Sequence, residues 1–244
     1  MYTNEENEEW IAERRRRLWS EQSESVTSLL QVDNVAMYSV TEEISATRMA
    51  KILAWWVGTK AIVTDATACV GGNTAALAKI FSKVNAVEIS SPRIEMLQNN
   101  LTVLGIRDKV TIYENDYTKI YKSIKQDVVF LDPPWGGPNY KQMRYIDLFL
   151  SDKNVANLAI DMLRWDTAIN GDPIPPRASL IAIKAPLNYN INGLYYAVRN
   201  VGFNVNYCVH VIKINKMLFI LVNAPWLVLP TLPPGFVDTG LYPI

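Results

Sequence analysis

From Lys60 onward the chain switches repeatedly between short runs rich in Val and Ile and longer stretches of helical period, and this alternation restricts the fold more than any other feature. KAIVTD (60–65), VNAVEIS (84–90), KVTIYEND (109–116), DVVFLD (127–132) and SLIAIKAP (179–186) read as strands. GNTAALAKIFSK (72–83), SPRIEMLQNNLTVLG (91–105), the region from Ile146 to Leu163, and INGLYYAVRNVG (191–202) read as helices. Strands separated by helices cannot be joined as hairpins; they pair in parallel, with helices over both faces of the sheet. FNVNYCVHVIKIN (203–215) and KMLFILVNA (216–224) read as two more strands, connected too tightly for a crossover helix and so antiparallel to each other. The expected architecture is an α/β, Rossmann-like domain: a mostly parallel seven-stranded sheet ending in an antiparallel hairpin.

The flanks differ from this body. NEEWIAERRRRLWS (7–20) can form a helix with Trp10, Ile11, Arg14 and Leu18 on one side. The run Arg14 to Arg17 follows several glutamates, so it reads either as a solvated, internally paired face or as a local anion grip. Ser20 to Ser28 reads as a loop. Thr41 before Glu42 and Glu43 looks like a helix start, a capping hydroxyl with acids at the positive end of the dipole. Met49, Leu53 and Trp56 supply the apolar stripe that follows. The expected organisation is a helical N-terminal extension (1–57) contributing to the site, a Rossmann-like body (58–224) and a Pro-rich arm (225–244).

Composition limits the partners. Lys and Arg total 24 against 24 Asp and Glu, whereas a protein that grips many backbone phosphates carries a strong basic excess. Long, non-specific nucleic-acid binding is therefore disfavoured, and a small or end-located anionic ligand remains open. Two cysteines and one histidine make neither a disulfide framework nor a metal-ligand cluster. The acidic N-terminus and the lack of a long apolar run argue against a signal peptide or a membrane span. An intracellular, reducing compartment is expected.

Ligands of an open parallel sheet bind beyond the carboxyl ends of its strands, and four of those ends carry unusual residues here. The first leads into DATACVGGNT (65–74), where Gly71 and Gly72 permit a tight turn and close approach of a ligand. Asp65 at its start would repel phosphate and suit an amine-bearing ligand. The second ends at Glu88, placed to accept from both ribose hydroxyls; the third ends at Asp116, placed to accept from an adenine amino group, with Tyr117 beside it. Singly, each acid is as well explained as a solvated loop residue or a helix cap. Together they describe a site for an adenosine without phosphate, which points to S-adenosylmethionine.

The fourth end is VVFLDPPWGGPNY (128–140). Asp132, constrained by Pro133 and Pro134, would present a carboxylate and adjacent carbonyl oxygens at fixed positions. Two such acceptors can bind both hydrogens of an exocyclic amine and turn its lone pair toward a methyl sulfonium, which is catalysis by orientation and electrostatics. Trp135 offers a flat face for the base that carries the amine.

These stretches resemble a class I methyltransferase, and more narrowly the trimethylguanosine synthase family of RNA cap guanine-N2 methyltransferases. The matching pieces are YSVTEE (38–43), DATACVGGNT (65–74), VNAVEISSPRIEMLQNNLTVLGI (84–106) and VVFLDPPWGGPNY (128–140), with WIAERRRRLWS resembling the family's helical lead-in. DPPW alone marks amino-group methyltransferases; the continuation GGPNY narrows it to the cap enzymes. The resemblance implies that Trp135 stacks on 7-methylguanine, which agrees with the affinity of indole for a cationic ring. It also implies that Tyr140 lies near the cap phosphates and Thr41 near the cofactor. The candidate cofactor residues are then Thr41, Asp65, Gly71, Asn73, Thr74, Glu88, Ile89, Asp116, Tyr117 and Asp132. The catalytic residues are Asp132, Pro133 and Trp135, and the substrate residues Trp135, Tyr140, Lys184, Arg14 and Arg17. The chain departs from the family at Asp132, where Ser is usual; at Cys69, where Gly is usual; and at Leu187, where an arginine is often found.

The expected function is methyl transfer from S-adenosylmethionine to guanine N2 of an m7G-capped RNA or cap dinucleotide, with no metal and no obligatory protein partner. The chain would act in the nucleus or cytoplasm, and its origin is open between cellular and viral. Two other readings compete: an amino-methyltransferase acting on adenine N6 or another guanine N2, which Asp132 favours, and a non-catalytic cap-binding protein on the same fold.

Overall fold

A computed structural model of the chain describes residues 4–232 and 234. The early strands are β1 (Ile62–Asp65), β2 (Lys83–Glu88), β3 (Val110–Glu114) and β4 (Val128–Leu131). Two small two-stranded units follow, β5 (Phe149–Leu150) with β6 (Lys153–Asn154) and β7 (Asp166–Thr167) with β8 (Pro173–Ile174). The last strands are β9 (Leu180–Pro186), β10 (Val209–Ile214) and β11 (Met217–Asn223). The main sheet has seven strands in the order β10-β11-β9-β4-β1-β2-β3, and β11 runs antiparallel to both its neighbours. This is the mostly parallel sheet with a C-terminal antiparallel hairpin that the alternation predicts. Contacts divide the chain into two compact parts, one holding the residues up to Ala61 with Ala68–Asn115, the other Ile62–Thr67 with the residues from Asp116 on.

In the first part β2 and β3 pair in parallel, from Val84 opposite Val110 to Glu88 opposite Glu114. Its helices are α1 (Asn4–Leu18), α2 (Glu24–Thr27), α3 (Ala36–Ser39), α4 (Glu43–Val57), α5 (Gly72–Ile80) and α6 (Ser91–Val103). Met49, Leu53 and Trp56 are buried as the stripe predicts, and α4 packs on α5. The lead-in is anchored by a core of Leu18, Trp19, Leu30, Ala36, Val40 and Val70, with Cys69 and Met96 against it. Buried Asn100 completes the anchor. Its amide accepts from Gln31 N (2.7 Å) and donates to Gln31 O (2.8 Å) and Val70 O (2.9 Å), as a neighbouring strand would.

Several expectations about the lead-in need correction. Ser20 to Ser28 contains the short helix α2 rather than only a loop. Thr41 does not cap α4: the helix begins at Glu43, with Glu42 at the cap position and no side-chain cap bond. Glu43 is instead buried and accepts from Glu21 N (2.9 Å), Gln22 Nε2 (2.5 Å) and Lys79 Nζ (2.5 Å). Trp10 is 41% exposed and tilts against Tyr38 with ring centroids 5.9 Å apart.

In the second part β1 pairs with β4, and β4 with β9, all in parallel. The helices are α7 (Tyr117–Ile120), α8 (Val155–Leu163), α9 (Ile191–Asn200) and α10 (Val205–Cys208). The helix expected from Ile146 begins only at Val155, where Asn154 accepts from Ala156 N and Asn157 N as its cap; the residues before it are spent on the β5–β6 hairpin. The strand expected from Phe203 is a helical turn as far as Cys208, because Asn204 accepts from Asn206 N and starts α10. After β11, Leu227 N returns to Ala224 O and no helix or strand follows in Pro225–Leu232. The remainder of the expected arm, 233 and 235–244, lies outside the described residues. Among the described residues no helix is long and apolar enough to cross a membrane.

Candidate active site

The end of β4 and the end of β9 form one tightly held cluster. Leu180–Pro186 is buried along its whole length, yet it contains Lys184. The Lys184 Nζ lies 2.7 Å from Asp132 Oδ2, with the two side chains only 8% and 12% exposed. The same ammonium sits 5.0 Å from the centroid of the Trp135 ring, within cation–π range. Asp132 N donates to Thr67 Oγ1 (2.9 Å), which fixes the backbone where the prolines begin. Trp135 meets Tyr140 edge-on, with centroids 5.3 Å apart, and its indole Nε1 is buried without a hydrogen-bond partner in the protein.

The two glycines after Trp135 reverse the chain: Gly136 and Gly137 have φ of 86° and 77°, a region that a side chain disfavours. The returning chain, a 3-10 turn at Pro138–Gln142, is then tied to the loop after β9. Asn188 Nδ2 donates to Tyr140 O (2.7 Å) and Met143 O (2.8 Å). Ile146 N donates to Asn188 O (2.9 Å) and Asn190 N to Ile146 O (2.8 Å). The density of constraint in DPPWGGPNY thus holds an indole and a carboxylate in fixed relation.

In the second part, Asp65 is fully buried at the end of β1 and accepts from Thr67 N (3.2 Å). Asp116 caps α7, accepting from Thr118 N (2.9 Å), Thr118 Oγ1 (2.7 Å) and Ser151 Oγ (2.8 Å). Burial pushes its carboxyl upward, but these donors outweigh it and hold the group below the usual carboxylate range. Tyr117 serves the core: it is buried, its hydroxyl bonded to Gln126 and close to the Met162 sulfur.

The first part carries Glu88 and the glycine loop. Glu88 is buried, Oε2 accepting from Cys69 N (2.9 Å) and Oε1 from Ser90 N (2.9 Å). Its carboxylate therefore shapes the loop after β1 and the start of α6. Cys69 has a φ of 50°, the left-handed region where Gly is at ease, and burial pushes its thiol up to about 11. Gly71, with φ of 100°, and Gly72 both lie close against neighbouring side chains. A Cβ at Gly71 would stand 2.8 Å from Leu97 Cδ1, and one at Gly72 2.7 Å from Val40 Cγ1. Thr41, Asn73 and Thr74 are buried, whereas Ile89 is 65% exposed.

The arginine run, read as either an internally paired face or an anion grip, shows pairing at two of its members. Arg14 Nε donates to Met37 O (2.9 Å) and its guanidinium lies 3.9 Å from Glu42, while Arg16 pairs with Glu24 at 2.8 Å; Arg17 is exposed. Lys184, expected to help hold phosphate, is paired with the Asp132 carboxylate. Sequence reasoning missed Asn188, Thr67 and Asn100. The signal in each is a polar residue inside an apolar or turn segment, and its partner is distant in sequence.

The profile of the family described as RNA cap guanine-N2 methyltransferase matches residues 60–222. An uncharacterized protein of Acanthamoeba polyphaga mimivirus is 28% identical over 67% of this chain and 59% of its own length. The trimethylguanosine synthases of Schizosaccharomyces pombe and Saccharomyces cerevisiae are 35% and 30% identical, over 45% and 55% of this chain and 47% and 43% of their own lengths. The chain thus spans about half the length of the curated relatives it matches. Among solved structures, a putative methyltransferase from Porphyromonas gingivalis superposes with a TM-score of 0.61 at 14% identity, covering 94% of this chain and 55% of that one. A T. thermophilus 16S rRNA N2 methyltransferase in complex with AdoMet and guanosine gives 0.52 at 15% identity, over 80% and 44%. These likenesses show the fold, a class I Rossmann-like methyltransferase.

Proposed function

This chain belongs to the RNA cap guanine-N2 methyltransferase family, and we propose on that footing that it methylates the exocyclic N2 of 7-methylguanosine at an RNA cap. The donor is S-adenosylmethionine, and the product 2,7-dimethylguanosine or, after a second transfer, 2,2,7-trimethylguanosine. The observation that carries this reading is the loop after β4, where Asp132 and Trp135 are fixed by prolines, glycines and the β9 loop inside the family-matched segment.

The set of carboxylate acceptors suits a phosphate-free adenosine ligand. Glu88 is a buried carboxylate with two of its roughly four acceptor sites taken by backbone N–H groups, so it retains capacity for ribose hydroxyls. Asp65 suits the amino group of the methionine end and Asp116 an adenine amine. Thr41, Gly71, Asn73, Thr74 and exposed Ile89 complete the proposed set, with the Tyr117 side chain left to the core. Bound there, S-adenosylmethionine supplies a methyl group on a cationic sulfur. The chain's part is orientation: Trp135 stacks the base, Tyr140 flanks it, and the Asp132 carboxylate with the Pro133 carbonyl accepts the two N2 hydrogens. Holding both hydrogens turns the nitrogen lone pair out of the ring's conjugation and restricts it to one direction.

Incubation with labelled S-adenosylmethionine and m7GTP, GTP or ATP tests the reading. Label is expected in m7GTP alone, and Trp135→Ala should lower that transfer by at least about a hundredfold, given that a desolvated cation–π contact is worth roughly 2 kcal/mol and its loss also misplaces the amine. Binding of S-adenosylhomocysteine should survive the substitution. Unchanged turnover would remove the stacking role. Transfer to ATP would install the second reading, an adenine N6 methyltransferase, which the identity of Asp132 favours.

A further inference from the structure

Lys184 is the least expected residue of its strand. Every residue of β9 is buried, and an ammonium there loses its hydration unless a partner replaces it. Asp132 is that partner, at 2.7 Å, and the Trp135 ring covers the ammonium from 5.0 Å. The three groups are therefore one electrostatic unit, set in surroundings that screen charge poorly.

We propose that Lys184 sets the degree of specificity: by neutralising Asp132 beside the indole, it leaves Trp135 alone to sense the positive charge of a 7-methylated base and tempers the preference that an unpaired Asp132 would add. The inference rests on the stacking of the base by Trp135. A cation on that ring would be drawn by a lone Asp132 and repelled by a lone Lys184, and the pair cancels the two to first order. With the pair intact, Asp132 can accept from an amine without capturing every cation that enters. A phosphate-binding role for Lys184 makes the opposite assignment, since it requires the ammonium to face the triphosphate.

The test compares the binding of 7-methylguanosine and guanosine, which lack phosphate, by tryptophan fluorescence or calorimetry, on the acidic side of neutrality where the methylated base keeps its charge. The variants are Lys184→Gln, whose amide can still donate to Asp132, Asp132→Asn, which can still accept from Lys184, and the two combined. Lys184→Gln is expected to raise the preference for 7-methylguanosine about tenfold, or ~1.4 kcal/mol. Asp132→Asn should lower it by a similar factor, and the double variant should return close to the wild-type ratio. A ratio that stays constant in both single variants overturns the inference and leaves a purely structural pair. Weaker binding of both m7GTP and GTP in Lys184→Gln, with the nucleoside ratio constant, also overturns it, in favour of phosphate contact. Wild-type protein without preference for the methylated nucleoside removes the stacking reading itself, and this inference with it. Should Lys184→Gln fail to fold by circular dichroism, the fall expected in Asp132→Asn still decides the sign.

Discussion

Glu88 is expected to serve both the loop and the ligand, and substitution can separate the two roles. Its carboxylate accepts two backbone N–H groups at 2.9 Å, from Cys69 and Ser90, and it is buried. Hydrogen bonds to a charged group contribute about 1.5–3 kcal/mol each. Glu88→Ala removes both, and some water entry will offset part of the loss, so a destabilisation of about 3 kcal/mol is expected. For a chain of this size that corresponds to roughly 6–12 °C in Tm. Glu88→Gln keeps one acceptor and turns an NH2 toward the other N–H, so it should lose about half as much. Urea unfolding gives the stability, and calorimetric titration with S-adenosylhomocysteine gives the affinity, measured where each variant is still folded. Both should fall for Glu88→Ala. If affinity falls while stability holds, the loop-shaping role is wrong; if stability falls while affinity holds, the ribose role is wrong.

Asn100→Ala should cost about 2 kcal/mol in urea unfolding, because it leaves Val70 O unsatisfied at a buried position, at a penalty of about 1–3 kcal/mol, while Gln31 N and O, which are only partly buried, can turn to water. A loss below roughly 1 kcal/mol would show that the lead-in does not depend on this latch. Asp116 has a depressed carboxyl in the fold, so its contribution is fully present above the unfolded value of about 3.9 and is lost as pH falls through the lower folded value. Asp116→Asn should therefore flatten the acid limb of a stability–pH profile below about pH 4. An acid limb of unchanged steepness would contradict the hydrogen-bond account of that shift.

The parts of the fold that were legible in the sequence are those where local pattern and burial agree. β2 and β4 are short Val-rich runs that the sheet buries, so period and composition found them. The strand-end acids Asp65, Glu88, Asp116 and Asp132 were legible as positions, because each closes an apolar run, but a cap or loop residue would look the same singly, and Asp116 is indeed the cap of α7. Misreadings arose where a single polar side chain overrode propensity. Asn204 diverts Val205–Cys208 from strand to helical turn, and Asn154 starts α8 later than its apolar period suggests. The pairing of Lys184 with Asp132, across 52 positions, was beyond any local pattern. So was Asn100, whose role depends on Gln31 arriving from a segment 69 positions away.

The rigidity of DPPWGGPNY is itself a product of those distant partners. Prolines restrict φ but do not fix where a loop points, and glycines with φ of 86° and 77° permit a reversal that flexible chains also reach. What fixes the direction is the β9 side. Lys184 holds the start of the loop through Asp132, and Asn188 holds its end through the Tyr140 and Met143 carbonyls. Each clamp comes from a strand or its immediate exit, and the parallel register of β4 with β9, Leu131 opposite Ile183, sets the distance between them. A reaction that proceeds by orienting an amine tolerates little looseness in the groups that orient it. The sheet therefore does more than carry the loop. Its register determines the position of the indole and the carboxylate, and a shift of β9 by one residue would turn Lys184 to the opposite face and separate it from Asp132.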